Sequence, residues 1–249
     1  MPKSKVFSSF ADAVRDVPDG AVVGFGGFAV VGMPINLYQA LAEQGAKNLT
    51  CVSNGTRGGG TLPEDAPTME WLIRNDQVSK VICSFTAPTR ASQKLVFSEY
   101  YEKGLIEAEL VPQGTLAERM RAAGAGIPAF YTPAAVGTEL AEGRETRVFN
   151  GREYLLEYGL PLDYAFIRAH QADAAGNLRY RRSQRNFNPL MAMAARITVV
   201  EVEEDILPVG AIDPDDIHTP GIFVHRLVRI PPRPEGWWPL RPAEIAKQL

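Results

Sequence analysis

Two hydrophobic patterns alternate along the first half of the chain. Short runs rich in apolar residues predict strands at residues 21–25, 49–54, 78–86 and 106–111, the first of which is expected to be buried. The segments between them place apolar residues at helical spacing and predict helices at residues 7–17, 36–45, 69–76, 92–104 and 115–126. Strands that alternate with helices are typical of βαβ units, so the pattern predicts a parallel sheet joined by right-handed crossovers.

The second half continues this α/β pattern and adds a strand in which valines and glutamates alternate, residues 197–204. Alternation places Glu201 and Glu203 on one strand face, which we expect to be solvated or to lie at a sheet edge. The whole pattern predicts an α/β fold, an open three-layer α/β/α domain with a mostly parallel sheet over residues 1–229. Residues 230–249 are rich in proline and tryptophan and are predicted to form an extended tail with a short terminal helix.

Composition argues against several classes of protein. Of the 249 residues, 45% are hydrophobic and 22% charged, with a net charge of −3, which gives no sign of binding to nucleic acid or anionic membranes. No signal segment or membrane-spanning apolar run is found, so we expect a cytoplasmic protein. Cys51 and Cys83 lie in apolar runs and are predicted to be buried thiols. The three histidines are scattered without metal-ligand spacing, so no metal site is expected.

The stretch VVGFGGFAVVGMP, residues 22–34, matches the dinucleotide fingerprint G-x-G-x-x-G/A. That fingerprint needs a helix that begins within the glycine run and an acidic residue that ends the second strand. Here the helix is predicted to begin near Pro34, and the second strand ends in Asn54. A nucleotide-dependent oxidoreductase is therefore the weaker interpretation, and a tight strand-to-helix turn without a ligand is the structural alternative.

A longer version of this stretch, DGAVVGFGGFAVVGMP (residues 19–34), resembles the first signature of the family I coenzyme A transferases, in which G-G-F is followed by G-x-P. Four further stretches resemble the small (α or A) subunit of 3-oxoacid CoA-transferases. They occur in family order at residues 49–54, 108–133, 172–195 and 199–228. The resemblance spans most of the chain.

The resemblance implies an enzyme that transfers coenzyme A by a ping-pong mechanism, with CoA as a substrate and no cofactor. A glutamate attacks the acyl-CoA, and a glutamyl-CoA thioester then passes the CoA to a 3-oxoacid-type acid such as acetoacetate. The family glutamate lies in an S-E-N-G motif of the large (β or B) subunit, whereas this chain has Val52-Ser53-Asn54-Gly55. We therefore expect a large subunit as partner, in a heterodimer or heterotetramer that binds acyl-CoA and small carboxylic acids. An acyl-CoA hydrolase-like or non-catalytic relative of the same fold is the alternative.

The resemblance also assigns roles to individual residues. Gln113 matches the family glutamine at the reacting centre, where its amide could stabilise an oxyanion or orient the substrate, and Asn54 matches an asparagine of the same cleft. Both could instead be turn residues, because Gln113 follows a proline and Asn54 precedes a glycine. Gly26, Gly27 and Phe28 are predicted to lie against the acyl-CoA. On this basis, Gly26→Val is expected to lower transfer activity far more than stability.

The chain departs from the family pattern in two loops and in its tail. The loops after the second and third strands carry Arg57 and Arg90, either of which could select an acid with a second carboxylate through a bidentate pair. Solvent-facing arginines are the simpler interpretation of each. In the tail, Trp237 and Trp238 could dock on the large subunit or pack on their own chain.

Overall fold

The computed structural model describes residues 4–56, 66–87 and 95–231. In chain order, its strands are β1 (Val6–Phe7), β2 (Val22–Phe25), β3 (Leu49–Gly55), β4 (Val78–Phe85), β5 (Glu107–Leu110), β6 (Ala129–Thr132), β7 (Thr146–Phe149), β8 (Arg152–Tyr158), β9 (Leu162–Ala169), β10 (Gln171–Ala172), β11 (Leu178–Arg179), β12 (Ala195–Val202) and β13 (Arg226–Arg229). Its α-helices are α1 (Phe10–Val14), α2 (Ile35–Gln44), α3 (Met69–Arg74), α4 (Val96–Glu102), α5 (Gln113–Gly124) and α6 (Asn188–Ala194). Short 3₁₀-helices lie at Glu139–Ala141, Arg182–Arg185, Pro214–Asp216 and Gly221–Phe223.

Within the described residues, eight strands form the central sheet in the order β1-β13-β12-β9-β2-β3-β4-β5. Every neighbouring pair in this sheet is parallel. The chain builds outward from β2 to β5 on one side and from β9 to β13 on the other, so the strand order reverses between β2 and β9. The predicted α/β class and its parallel sheet are confirmed.

Helices cover both faces of the sheet, with a separate hydrophobic core under each layer. Helices α1 to α4 pack on one face, in a core that includes Val14, Phe25, Leu41, Ile73 and Phe97. Helices α5 and α6 pack on the other face, in a core that includes Leu116, Met120 and Met191. Strand β9 serves both cores, because successive side chains alternate: Phe166 belongs to the first core and Ile167 to the second. This arrangement confirms the three-layer architecture.

The helix predicted at residues 7–17 is shorter than expected. Strand β1 takes the beginning of that segment and pairs in parallel with β13 at the edge of the sheet. Helix α1 begins at Phe10 because Ser9 is its N-cap, with the Asp12 backbone N–H donating to Ser9 Oγ at 3.1 Å. A strand and a helix that follow each other so closely cannot be separated by periodicity alone.

A second, three-stranded antiparallel sheet in the order β6-β8-β7 interrupts the α/β pattern between α5 and β9. The simple alternation predicted for the second half is therefore wrong here. No residue from 124 to 154 is buried. The sheet returns to the domain where the Gly159 N–H donates to the Pro128 carbonyl at 2.8 Å. Near this point, the buried carboxylate of Glu157 lies 2.7 Å from the Arg144 guanidinium.

The expectation that Glu201 lies on a solvated face or at a sheet edge is wrong. Its side chain is 0% exposed. Strand β12 lies in the interior of the sheet between β13 and β9, and its last five residues, 198–202, are all buried. Glu203, just beyond the end of the strand, has a side chain that is 30% exposed. The Glu201 carboxylate can be buried because hydrogen-bond donors from other elements replace water around it.

The buried thiols generate a first prediction. Burial raises the pKa of Cys83 to about 11 and raises the pKa of Cys51 well above its usual range. At pH 8 roughly one Cys83 in a thousand is a thiolate, so neither native thiol should react with Ellman's reagent within minutes. Both should react at once in guanidinium chloride. Rapid reaction of one thiol equivalent in the native protein would contradict this burial.

Candidate functional site

The carboxyl ends of the parallel strands meet at one edge of the sheet, which we call the carboxyl edge. Ligands of open α/β sheets bind on this side, near the point where the strand order reverses. Phe28 follows β2, Asn54 lies near the end of β3, and Gln113 opens α5 directly after β5. The predicted side chains that the structure describes therefore converge on the carboxyl edge.

Gln113 and Asn54 are in direct contact, although 59 residues separate them in sequence. Gln113 Nε2 donates to Asn54 Oδ1 at 2.5 Å, and both side chains are accessible to solvent. Among the described residues, the Gln113 and Asn54 side-chain amides make no hydrogen bond other than this one. Toward those residues, the second Nε2 hydrogen of Gln113 and the NH₂ group of Asn54 are therefore available to a ligand. The pair can therefore offer neutral donors to a carboxylate or to a developing oxyanion.

The end of β3 supplies this amide to the site but no activated nucleophile. Ser53, where the large-subunit motif has glutamate, is 5% exposed, and its hydroxyl donates to the Gly55 carbonyl at 2.7 Å. Gly55 passes close to β4, where an added Cβ would lie 3.0 Å from the Phe85 carbonyl oxygen. Among the described residues, no general base is bonded to the Ser53 hydroxyl, which a serine nucleophile would need.

The glycine loop, which we define as Gly26–Pro34, turns back on itself before helix α2. Phe28 and Val31 exchange two backbone hydrogen bonds, with N···O distances of 3.0 and 3.1 Å. Gly27 has φ +107°, a conformation that glycine adopts without strain. Helix α2 begins only at Ile35. The dinucleotide fingerprint needs a helix that begins within the glycine run. No helix begins there.

A buried carboxylate already occupies the N-terminus of α2. Glu201 Oε2 accepts hydrogen bonds from the backbone N–H groups of Asn36 at 2.9 Å and Leu37 at 3.3 Å. The Arg168 guanidinium lies 3.3 Å from Glu201 Oε1. In a dinucleotide-binding protein, N–H groups at this position bind the pyrophosphate. Because the chain's own anion fills the position, the glycine loop does not form a dinucleotide site.

Gly26 and Gly27 have packing reasons for lacking a side chain. A Cβ on Gly26 would lie 1.9 Å from Oδ1 of the buried Asn188, and a Cβ on Gly27 would lie 3.0 Å from the Met33 backbone. The loop presents two exposed large side chains, Phe28 at 46% and Val31 at 42%. Of the three loop residues predicted to face the acyl-CoA, Phe28 alone offers a side chain for that contact.

Comparison with known proteins agrees with this geometry. The profile of the coenzyme A transferase family matches residues 7–229. The chain belongs to this family. It is 46% identical over 227 residues to the A subunit of 3-oxoadipate CoA-transferase from Pseudomonas putida, covering 91% of this chain and 94% of that protein. It is 42% identical over 226 residues to the A subunit of succinyl-CoA:3-ketoacid coenzyme A transferase from Helicobacter pylori, covering 91% and 92%.

A solved structure supports the same fold. The crystal structure of glutaconate coenzyme A-transferase from Acidaminococcus fermentans superposes with a TM-score of 0.77 at 23% sequence identity, covering 92% of this chain and 76% of that one. At that identity the likeness concerns the fold alone.

Several residues with a predicted role in this CoA-transferase chain lie outside the described residues. These are Arg57 and Arg90, the candidates for acid selection, and Trp237 and Trp238 in the tail. Their roles stay predictions. The described part of the site therefore consists of the Gln113–Asn54 pair and the exposed end of the glycine loop.

A charged cluster beside the site was not found from the sequence. Arg168 Nε lies 2.8 Å from Glu203 Oε1, and Glu203 Oε2 lies 3.1 Å from His170 Nδ1. Gln184 Nε2 also donates to Glu203 Oε1, at 2.9 Å. The alternation that places Glu201 and Glu203 on one face was the available signal. Such alternation is also typical of a strand with one solvated face. The side chains that contact Glu203 come from other elements, so the alternation does not reveal them.

Within residues 4–56, 66–87 and 95–231, no group of three or more His, Cys, Asp or Glu side chains is placed to hold a metal. In the same part of the chain, no helix is both long and apolar enough to cross a membrane.

The contact between Gly26 and Asn188 changes the expected result of substituting Gly26. We expect Gly26→Ala to lower the free energy of unfolding by about 1–3 kcal/mol, because the buried Asn188 amide must move, and Gly26→Val to lower it further. Gly114→Ala is the matched control, since its added Cβ would meet no atom of the described residues within 4 Å. Urea denaturation measures both. A Gly26→Ala variant as stable as the control but deficient in transfer would restore the ligand-contact interpretation.

Proposed function

We propose that this chain is the small subunit of a heteromeric CoA-transferase, which moves coenzyme A from an acyl-CoA such as succinyl-CoA to a 3-oxoacid. The observation that carries the proposal is the Gln113–Asn54 contact at the carboxyl edge, where Ser53 replaces the nucleophilic glutamate of the large subunit. Family membership and the naming of both relatives as A subunits support it.

In the proposed reaction, the thioester carbonyl carbon is attacked by a glutamate in the S-E-N-G motif of the large subunit. The C–S bond breaks, and CoA leaves as a thiolate while an acyl-glutamyl anhydride forms. The thiolate then attacks the glutamyl carbonyl carbon, which releases the donor acid and leaves a glutamyl-CoA thioester. The acceptor carboxylate undergoes the same steps in reverse and departs as its CoA thioester.

The residues of this chain would stabilise the charge that develops on the carbonyl oxygen. Asn54 Oδ1 accepts one Nε2 hydrogen of Gln113 and so fixes the orientation of that amide. The second hydrogen is then a preorganised donor for the oxyanion. A neutral amide suits this role because a cation would pair with the attacking carboxylate and weaken it. Phe28 would add an apolar wall that limits access of water to the anhydride.

The acceptor is proposed to be a 3-oxoacid because the P. putida relative is named for 3-oxoadipate and the H. pylori relative for a 3-ketoacid. Within this class, 3-oxoadipate carries a second carboxylate and acetoacetate does not. We further propose a heterodimer or heterotetramer with the large subunit, located in the cytoplasm and acting without a cofactor.

Replacement of Gln113 tests the proposal. In the complex reconstituted with the large subunit, Gln113→Ala should lower kcat about 100-fold, because the oxyanion loses a preorganised donor. Gln39→Ala is the control, since that amide binds Glu43 on helix α2. Transfer from succinyl-CoA to acetoacetate and to 3-oxoadipate is measured beside thioester hydrolysis. Equal effects of the two substitutions would contradict the assigned role, and hydrolysis that exceeds transfer in the wild-type complex would favour the hydrolase-like alternative.

Acid selection by arginine has its own test. If Arg57 or Arg90 binds a second carboxylate, its replacement by alanine should raise KM for 3-oxoadipate about 10-fold or more and leave KM for acetoacetate unchanged. Acceptor profiles of the Arg57→Ala and Arg90→Ala complexes provide the measurement. Unchanged discrimination between mono- and dicarboxylates in both variants would rule out the hypothesis.

A further inference from the structure

The glycine loop is hydrogen-bonded to a part of the chain that is distant in sequence, residues Gln184–Asn188, which we call the anchor segment. This segment joins a 3₁₀-helix to α6, about 150 residues after the loop. Two of its asparagine side chains donate hydrogen bonds to carbonyl groups of the loop. The position of the loop therefore depends on specific polar contacts in addition to its own turn.

Asn188 is the buried part of the anchor segment, with 0% exposure. Its Oδ1 accepts from the Arg168 backbone N–H at 3.1 Å, and its Nδ2 donates to the carbonyls of Gln184 at 2.8 Å and Gly32 at 3.3 Å. A Cβ on Gly26 would lie 1.9 Å from Asn188 Oδ1, and a Cβ on Gly32 would lie 2.7 Å from Asn188 Nδ2. Two glycines of the loop thus make room for one buried amide.

Asn186 acts on the turn itself. Its Nδ2 donates to the Val31 carbonyl at 2.9 Å, while its Oδ1 accepts from the Phe187 N–H at 2.6 Å. Val31 is paired through backbone hydrogen bonds with Phe28. The bond from Asn186 therefore holds the residue that closes the turn in which Phe28 lies.

The same charged cluster fixes the anchor segment and the far end of the loop. Glu201 binds the first N–H groups of α2, and Arg168 lies between the carboxylates of Glu201 and Glu203. Gln184, in the anchor segment, donates to Glu203. The loop is thus held at its middle and at its end by residues that contact one another.

We propose that Asn186 and Asn188 are positioning residues that set the placement of Phe28 at the carboxyl edge and thereby the selectivity for the acyl group. The inference rests on the proposed function, because Phe28 discriminates between acyl groups only if they bind at this edge. Phe28 and Val31 are 46% and 42% exposed, while the Val31 and Gly32 carbonyls are bound to the anchor segment. Directional hydrogen bonds fix the orientation of the turn more narrowly than apolar contacts, which tolerate sliding.

Variants at Asn186 test the proposal with little risk to folding, because this side chain is partly exposed. Asn186→Ala removes both the donor and the acceptor. Asn186→Asp keeps the acceptor for the Phe187 N–H but cannot donate to the Val31 carbonyl. Asn75→Ala is the control, since the Asn75 amide donates to Gln77 at 3.3 Å between α3 and β4, at the opposite edge of the sheet.

The first readout is acyl selectivity in the complex reconstituted with the large subunit. Asn186→Ala and Asn186→Asp should each change the ratio of kcat/KM for succinyl-CoA to that for acetyl-CoA by about fivefold or more, and Asn75→Ala should not. Both substitutions act through the same turn, so their effects should not be additive. The double variant Phe28→Ala/Asn186→Ala should therefore change the ratio no more than does the single variant with the larger effect. An unchanged ratio, or changes that multiply, would overturn the proposal.

The second readout is hydrogen exchange of the same complexes, which needs no turnover. The peptide covering residues 26–34 should exchange about tenfold faster in both Asn186 variants and should not change in the Asn75 variant. Outside this peptide and the neighbourhood of the anchor segment, exchange should be unchanged. Unaltered exchange would overturn the positioning role even if activity fell. An inactive wild-type complex would instead contradict the proposed function, so the two failures are distinguishable.

Discussion

The buried carboxylate of Glu201 is the interaction on which the arrangement of the carboxyl edge depends. A carboxylate removed from water is strongly destabilised unless donors replace the lost hydration. Two backbone N–H groups of α2, the Asn36 side chain and the Arg168 guanidinium replace it here. The positive end of the helix dipole adds a further favourable interaction. The start of α2, and with it the end of the glycine loop, is thus fixed by a residue 165 positions away from Asn36.

This interaction also distinguishes two functions that the glycines of a strand–loop–helix unit can have. In a nucleotide-binding protein the glycines let a phosphate approach a free helix N-terminus. Here that N-terminus is already neutralised from within, and the glycines accommodate the Asn188 amide. The surface that remains for a ligand is formed by side chains, namely Phe28 and the Gln113–Asn54 pair. In the proposed function, these side chains meet the acyl group and its carbonyl oxygen.

The sequence pattern predicted the fold well at β2 to β4, which lie between other strands of the sheet and are short apolar runs separated by helices. It failed at β12, since alternating valine and glutamate gives no sign that Arg168 and a helix N-terminus surround Glu201. Asn188 shows the same limit, because its hydrogen-bond partner Gly32 lies 156 residues earlier. Gln113 and Asn54 were identified through the family resemblance, and neither periodicity nor spacing marks them. Contacts between remote polar residues are the part of the site that local patterns do not encode.

The small antiparallel sheet leaves and re-enters the domain at nearly the same point, where Gly159 is bonded to Pro128. No residue from 125 to 154 is buried or belongs to either hydrophobic core. The entropy of closing a loop between fixed ends grows slowly with its length, so this excursion can lengthen or shorten at small cost in stability. The outer surface of the domain can therefore change in this segment while the strands of the central sheet stay in register.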